Sequence, residues 1–410
     1  MTTPTTTAPA PGATDPGDGS VTAARLRAIC TEVSNRYLER GGVVKALVAC
    51  MLAGQHSLLL GPPGTAKSEL ARDLTSRIDG AELWEILLSK YSDPKKMFGP
   101  VDVAALMKGV YQQVWDGRAT RAHIAFIDEI FKCGSGALNE LLAFLNERLY
   151  HPESGGAPIA CPLISAITAS NELPTAEESA AVYDRLLVRI EVDYLSDEAN
   201  FTQLLRSAVD AGTPAIPTTV PLADLQTAVR VHVPRVAVPD GVIDAIGALR
   251  ASLRLAGLVA SDRRWRQSVR LLQASAWLDG RQAVTTNDLE MLAHVLWNVP
   301  AERPTVEREV AQVVNPDGRL AFDLLDGIEE IAAQLAQMAG KSREELADWA
   351  IKEAQGKLAK AERDLTELRK KSEAAGRSTA TIDEVIARKR AVHAQVLTDA
   401  LGFNTSTVNL

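Results

Sequence analysis

The chain has 410 residues, with 44 Lys and Arg against 52 Asp and Glu and a net charge of −8. At roughly 150 residues per domain, that length predicts two to three domains, each able to bury a core without disulfides or metals. The acidic balance argues against non-specific binding to nucleic acid or to an anionic membrane as the main task.

The four cysteines, Cys30, Cys50, Cys133 and Cys161, are scattered and form no CxxC or CxxH pair. That usage fits a reduced cytosol better than a disulfide framework or a zinc site. No apolar run reaches the roughly 18 residues of a membrane span. The N-terminus lacks the positive charge and apolar stretch of a secretory signal.

Residues 1–20 hold no aliphatic side chain larger than Ala after Met1. They cannot bury enough surface to offset their ordering entropy and are expected to form a disordered arm. Next, Leu26, Ile29, Val33 and Tyr37 recur at helical spacing, and after Gly41 and Gly42 an apolar helix runs to Gly54. Strands are expected at Ser57–Leu60, Leu83–Leu88, Ile124–Ile127, Leu163–Thr168 and Leu187–Val192, with helices at Ser68–Ile78 and Gly136–Glu147. This alternation predicts an α/β domain over residues 21–195, its parallel sheet covered on both faces.

From residue 196 to about 300 the pattern turns helical, at Glu198–Ala211, Asp240–Ala256, Trp265–Leu278 and Thr286–Leu296, with a Pro-rich loop at Thr213–Pro221. A separate small helical domain is expected there. Residues 301–410 read as a C-terminal helical region. In it Ala347, Ile351, Ala354, Leu358, Ala361, Leu365 and Leu368 are spaced 4-3-4-3-4-3, an a/d stripe. After a turn at Gly376, Ile382, Val385, Ile386, Val392 and Val396 predict a returning helix. An intramolecular hairpin is expected, with coiled-coil pairing to a partner or a second copy as the alternative.

The sharpest chemical signal is Gly61-Pro62-Pro63-Gly64-Thr65-Ala66-Lys67-Ser68, which follows an apolar strand and opens a helix. That context points backbone N–H groups and a helix N-terminus at phosphate oxygens. Lys67 would neutralise β- and γ-phosphate charge, and the Ser68 hydroxyl would ligate Mg2+. Ala66 stands where such loops usually carry Gly. The loop is expected to survive if that position takes right-handed angles and needs no positive φ.

The second signal is His123–Glu129, an apolar strand ending in two acids. Asp128 would hold Mg2+ through its water shell, and Glu129 would polarise the attacking water. The third is Asn171, just after an apolar strand, whose neutral amide could position that water.

In order along the chain, GPPGTAKS, FIDEIFKCGSGALNELLAFLNER, ASNELP, YDRLLVRIEV and SDRRWRQSVRLLQASAWLDGR resemble the AAA+ ATPases. More narrowly they resemble the MoxR branch and, within it, the RavA-type proteins. The resemblance spans about Ala23 to Pro300, and Ala before the loop lysine is common in that branch. It implies an α/β fold: an AAA+ phosphate-loop wedge with a five-stranded parallel sheet, plus an α-helical lid over 196–300. ATP and Mg2+ would bind between them.

The resemblance also assigns roles. Arg185 is implied to be an arginine finger reaching the phosphate of a neighbouring subunit, with Arg189 as the alternative. Arg263 is implied to be the sensor 2 residue, carried on the lid and contacting phosphate in cis, a role the adjacent Arg264 could take. Val43 and Val44 are implied to line the adenine pocket. Tyr91–Trp115 would be a β-containing excursion into the second helix, and Tyr150–Cys161 the hairpin before sensor 1. Longer RavA-type members carry a β-rich insert in the terminal helical region, and no β-rich stretch is read here after Asp317.

The implied activity is Mg-dependent ATP hydrolysis by a homo-oligomer, a hexameric ring, that remodels or matures a protein client in the cytoplasm. A protein with a von Willebrand factor A domain is the implied partner. The alternatives are a nucleic-acid motor or loader and a non-hydrolysing nucleotide-gated scaffold. The lack of an interleaved basic and aromatic patch argues against the first. The full set of Lys67, Asp128, Glu129, Asn171 and Arg185 argues against the second.

Overall fold

The apolar runs become strands β1 (His56–Leu60), β2 (Leu83–Leu87), β3 (Ile124–Asp128), β4 (Ser165–Ser170) and β5 (Leu186–Glu191). The computed structural model describes residues 19–152, 157–174, 177–209, 216–338, 341–374 and 379–401. The strands pair in parallel in the order β2-β3-β4-β1-β5. This is the expected five-stranded parallel sheet. β1 and β4 are buried along their whole length, as a sheet covered on both faces requires. In a parallel sheet every strand's C-terminus falls on one edge, so the loops after β1, β3 and β4 gather there. Leu60 lies beside Ser170, and Ile127 beside Thr168.

Helix α1 (Ser20–Arg36) buries Ala23, Leu26, Ile29 and Val33, a stripe at helical spacing. Tyr37 departs from it, because the chain turns extended there to cap the helix. Helix α2 (Gly41–Leu52) is apolar almost all round and correspondingly buried. Helices α3 (Lys67–Ser76) and α4 (Ser135–Glu147) follow β1 and β3. Below the sheet, Phe98 stacks on Tyr150 at 5.0 Å and meets Phe144 edge-on at 5.4 Å. Such pairs contribute about 0.5–1.5 kcal/mol each beyond area burial.

The Tyr91–Trp115 excursion consists of two short helices, Pro94–Phe98 and Val103–Leu106, capped by the Asp93 and Asp102 side chains. Its β character reduces to one bridge between Val101 and Gln113. Leu149–Tyr150 pairs antiparallel with Ile159–Ala160, the base of the expected hairpin. Residues 153–156 lie outside the described residues.

Helices α5 (Glu198–Val209) and α6 (Asp262–Leu278) form near their expected places, as does Asp240–Leu255. Thr286–His294 is a run of 3-10 turns started by a Thr285–Asp288 capping box, not an α-helix. Leu222–Arg235, unassigned in the sequence, is helical through a π turn at Ala228–His232. Of the expected Pro-rich loop, residues 213–215 lie outside the described residues.

Two compact units result, one of residues up to 244 with 257–303, the other of 245–256 with 304 onward. The second contains α7 (Pro316–Gln337), α8 (Gln355–Ala374) and α9 (Ala380–Asp399), packed on one another. Ala354, Leu358, Ala361 and Leu365 are buried as the stripe predicts, and so are Ile382, Val385, Val392 and Val396 from the returning helix. The pairing is therefore intramolecular. Two corrections apply. Ile351 is 64% exposed, and Ala350 is buried in its place. A π turn at Ala350–Ala354 inserts an extra residue per turn and shifts the phase of the stripe. The hairpin also has a third helix, α7, which supplies Ala321, Ile328, Ile331 and Leu335.

The N-terminal arm up to residue 18 and the Gly376 turn lie outside the described residues. Among those described, no strand follows Pro221, and no helix is long and apolar enough to cross a membrane.

Candidate nucleotide site and the two edges of the sheet

At the C-terminal edge, the segment from Gly61 to Ala66 turns tightly from β1 into α3. Gly61 cannot be replaced freely, because a Cβ there would meet the Val192 carbonyl oxygen at 2.2 Å. Ala66 adopts φ 61° and ψ 20°, the left-handed region. The condition set in the sequence, that this position need no positive φ, is thus not met, yet the loop forms. It does so at the cost of holding an L-residue there, about 1–2 kcal/mol.

Lys67 is buried and its Nζ donates to the carbonyls of Gly61 at 2.8 Å and Pro62 at 2.7 Å. The same Nζ lies 3.4 Å from Thr65 Oγ1 and 3.3 Å from Asn171 Oδ1. Burial pulls the ammonium pKa down, against Asp128 and Glu129, which pull it up. Phosphate oxygens would be stronger partners for this cation than neutral carbonyls.

Ser68 Oγ donates to Asp128 Oδ2 at 3.3 Å. Among the described residues no group of three or more His, Cys, Asp or Glu could hold a metal. The Ser68–Asp128 oxygen pair fits the one protein site Mg2+ needs, since that ion is usually held by one or two carboxylates together with phosphates and water. Asn171 joins the lysine to the second acid, because its Nδ2 donates to Glu129 Oε1 at 2.9 Å. Lys132 Nζ pairs with the same Oε1 at 3.0 Å, which raises the Lys132 pKa. Glu129 Oε2 is buried without a hydrogen-bond partner. Lys132 was missed in the sequence, though it follows Glu129 by one turn.

A cleft of about 1020 Å³ opens beside the loop. Its apolar wall is Tyr37, Leu38, Leu195, Phe201 and Leu204, and its floor includes Gly64, Thr65 and Ala66. Val43 and Val44, expected in the adenine pocket, are not among the lining residues. They are buried on α2 within the core. The cleft is walled instead by the turn after α1 and by α5, neither of which carries a recognisable sequence motif.

The opposite, N-terminal edge gathers arginines. Arg185 immediately precedes β5, whose first residue, Leu186, pairs with His56 at the start of β1. Gly61 follows the other end of β1, about 16 Å away at 3.3 Å per residue. Arg185 Nη1 donates to Ala181 O at 2.7 Å, and its Nε is buried without a partner. Burial, and then the nearby Arg263, lower its pKa. Arg263 is partly exposed and reaches Asp184 at 3.8 Å. It therefore stands with Arg185, not beside its own phosphate loop. The cis contact expected of Arg263 is not one this geometry offers, because α6 packs on α1 and α2 and presents its first turn to the Asp184 corner.

The two alternatives are differently engaged. Arg189 is fully buried, with donors to the carbonyls of Leu186, Tyr183 and Trp297 and its guanidinium 3.7 Å over the Tyr183 ring. Arg264 is buried on Asp184, Val295 O, Trp297 O and Asn298. Both tie the Tyr183–Arg185 corner to the 295–298 segment and have no exposed fork to offer a phosphate.

Residues 24–224 match the family model described as the MoxR domain of MoxR–vWA–β-propeller ternary systems, and residues 241–310 match an AAA lid domain. An uncharacterized protein of Methanocaldococcus jannaschii is 31% identical over 76% of this chain and 82% of its own length. A second uncharacterized protein of that organism is 30% identical over 76% of this chain and 80% of its own length. A crystal structure of an inferred ATPase from Cytophaga hutchinsonii superposes with a TM-score of 0.57 at 18% identity, covering 72% of this chain and 95% of that one. That structural likeness concerns the fold, which is the AAA+ fold.

Proposed function

We propose, since this chain belongs to the MoxR-type AAA+ ATPase family, that it hydrolyses ATP to ADP and phosphate at a site finished by a second copy of itself. The observation that carries this is the division of labour between the two edges. Lys67, Ser68, Asp128, Glu129 and Asn171 converge at one, while Arg185 and Arg263 stand together at the other.

In this reading the loop N–H groups and the start of α3 hold the phosphates, and Lys67 exchanges its carbonyl partners for phosphate oxygens. Ser68 and Asp128 would hold Mg2+, which supplies charge neutralisation on the phosphate oxygens. Asn171 orients a water against the γ-phosphorus. Glu129 accepts a proton from that water as its oxygen bonds to phosphorus and the bond to the β-phosphate oxygen breaks. Arg185 and Arg263 lie too far from their own loop to take part in cis. They would meet the phosphates of a neighbouring copy, in a hexameric ring.

The output is RavA-like: chaperone-type remodelling or maturation of a protein client in the cytoplasm. The description of the matched family supports a von Willebrand factor A domain protein as partner. Glu129→Gln tests the chemistry. ATP binding should persist while phosphate release falls roughly 10²–10⁴-fold, the worth of a positioned base. Undiminished release by the purified variant would remove Glu129 from the mechanism. The same variant, holding ATP, should retain client and partner in co-purification.

A further inference from the structure

Helix α5 forms one wall of the cleft, yet its described residues bury little surface there. Every described residue from Phe201 to Val209 is exposed. Most helices in proteins are stabilised by burying one face. This one is fastened at its N-terminus instead. Glu39 sits in the turn after α1, in the left-handed region with φ 61°. Its carboxylate accepts from the backbone N–H of Ser196 at 3.0 Å and of Asp197 at 2.9 Å. It also accepts from Ser196 Oγ at 3.0 Å and Asn200 Nδ2 at 3.1 Å. Arg40 donates to Asp193 O beside it, and the Tyr194 hydroxyl donates to Pro63 O of the phosphate loop at 3.3 Å.

Both halves of this clasp border the cleft. Tyr37 and Leu38 line one side, and Phe201 and Leu204 line the other. Phe201 and Leu204 are three residues apart, so they share a helix face. They are 48% and 47% exposed.

We infer that Glu39 is a positioning residue for nucleotide binding, anchoring α5 so that Phe201 and Leu204 close on the base. The inference rests on the proposed reading that the loop beside this cleft holds the phosphates of ATP; it places the base in the cleft and adds what sets affinity for that part of the ligand. The phosphate end is held by Lys67 and the loop. Among the described residues, the base end is held by a helix fastened through one carboxylate. An ionised carboxylate is acceptor-only and can satisfy all four donors at once. A glutamine would turn an NH2 group toward some of them.

The test compares two ligands that share phosphates and differ in the base: ATP and inorganic tripolyphosphate, each with Mg2+, titrated calorimetrically into the full chain. Glu39→Ala should weaken ATP binding roughly tenfold or more, the worth of a lost charged hydrogen-bond set. Tripolyphosphate affinity should stay at the wild-type value. Phe201→Ala should show the same selective loss with the clasp intact, and Glu39→Gln should fall between. Unchanged ATP affinity in Glu39→Ala overturns the inference. So does an equal loss for both ligands, which would report general damage to the fold. Wild-type protein that binds tripolyphosphate but gains nothing from the base overturns the reading of the cleft itself, a result visible before any variant is made.

Discussion

The two edges of one sheet treat charge in opposite ways. At the C-terminal edge, Lys67, Asn171, Glu129 and Lys132 are partnered in series within the chain, with Ser68 and Asp128 paired beside them. At the N-terminal edge, Arg189 and Arg264 are committed to carbonyls, while Arg185 keeps a buried Nε with no partner. In the proposed function, the difference separates the place that receives phosphate from the one that presents cations. Parallel strand topology enforces the separation, since strand starts and strand ends cannot share an edge.

Arg185→Ala should break the second edge with the largest effect on turnover. ATP affinity should be retained and phosphate release should fall roughly 10³–10⁵-fold, as for an arginine finger acting in trans. Nucleotide titration beside steady-state phosphate release checks it. Lys67→Ala should break the first edge in the other sense, with ATP binding itself lost and the circular dichroism spectrum unchanged. If Lys67→Ala bound ATP normally, the phosphate-loop reading would fail.

The buried N-terminal edge should also show in the pH dependence of stability. His56 is neutral there, with Nδ1 accepting from Ala166 N–H and Nε2 facing Leu145 O. Burial first, and then Arg148, push its pKa down to about 3. The folded pKa lies below the unfolded value of about 6.5, so the unfolded chain binds the extra proton between these limits. Stability is complete above the unfolded value and falls with pH below it, by up to about 1.4 kcal/mol per unit. Urea midpoints should drop between pH 7 and pH 5, and His56→Gln should flatten that slope.

The smallest expected effect is at the loop. Ala66→Gly relieves the left-handed strain but loosens the unfolded chain. The net should be a stabilisation of roughly 0.5 kcal/mol, and Ala66→Val should destabilise by more, both read from urea midpoints.

The strands were legible because each is an apolar run bounded by turn residues. The phosphate loop was legible because its spacing follows from phosphate geometry. Three kinds of feature were not. The phase of the C-terminal stripe broke at Ile351, because a π turn leaves no mark in residue spacing. The stripe of α7, from Ala321 through Ile328 to Leu335, was present in the sequence but read only as helical. Long-range placement was the third. Motif order could put Arg263 on a helix but not on an edge of the sheet. Nor could it show that Tyr37, Leu38 and Phe201, rather than Val43 and Val44, wall the cleft. Ala66 shows the limit of local reasoning, since the loop's closure overrode the residue's preference.

The central claim is that one copy's arginines serve another copy's phosphate loop. Mixing two inactive variants tests it most directly. Arg185→Ala chains keep an intact loop, and Lys67→Ala chains keep intact arginines. Combined under assembling conditions, they should recover phosphate release that neither shows alone, because some intact loops then face intact arginines. No recovery at any ratio, in assemblies whose mixed composition is confirmed by mass, would contradict the account.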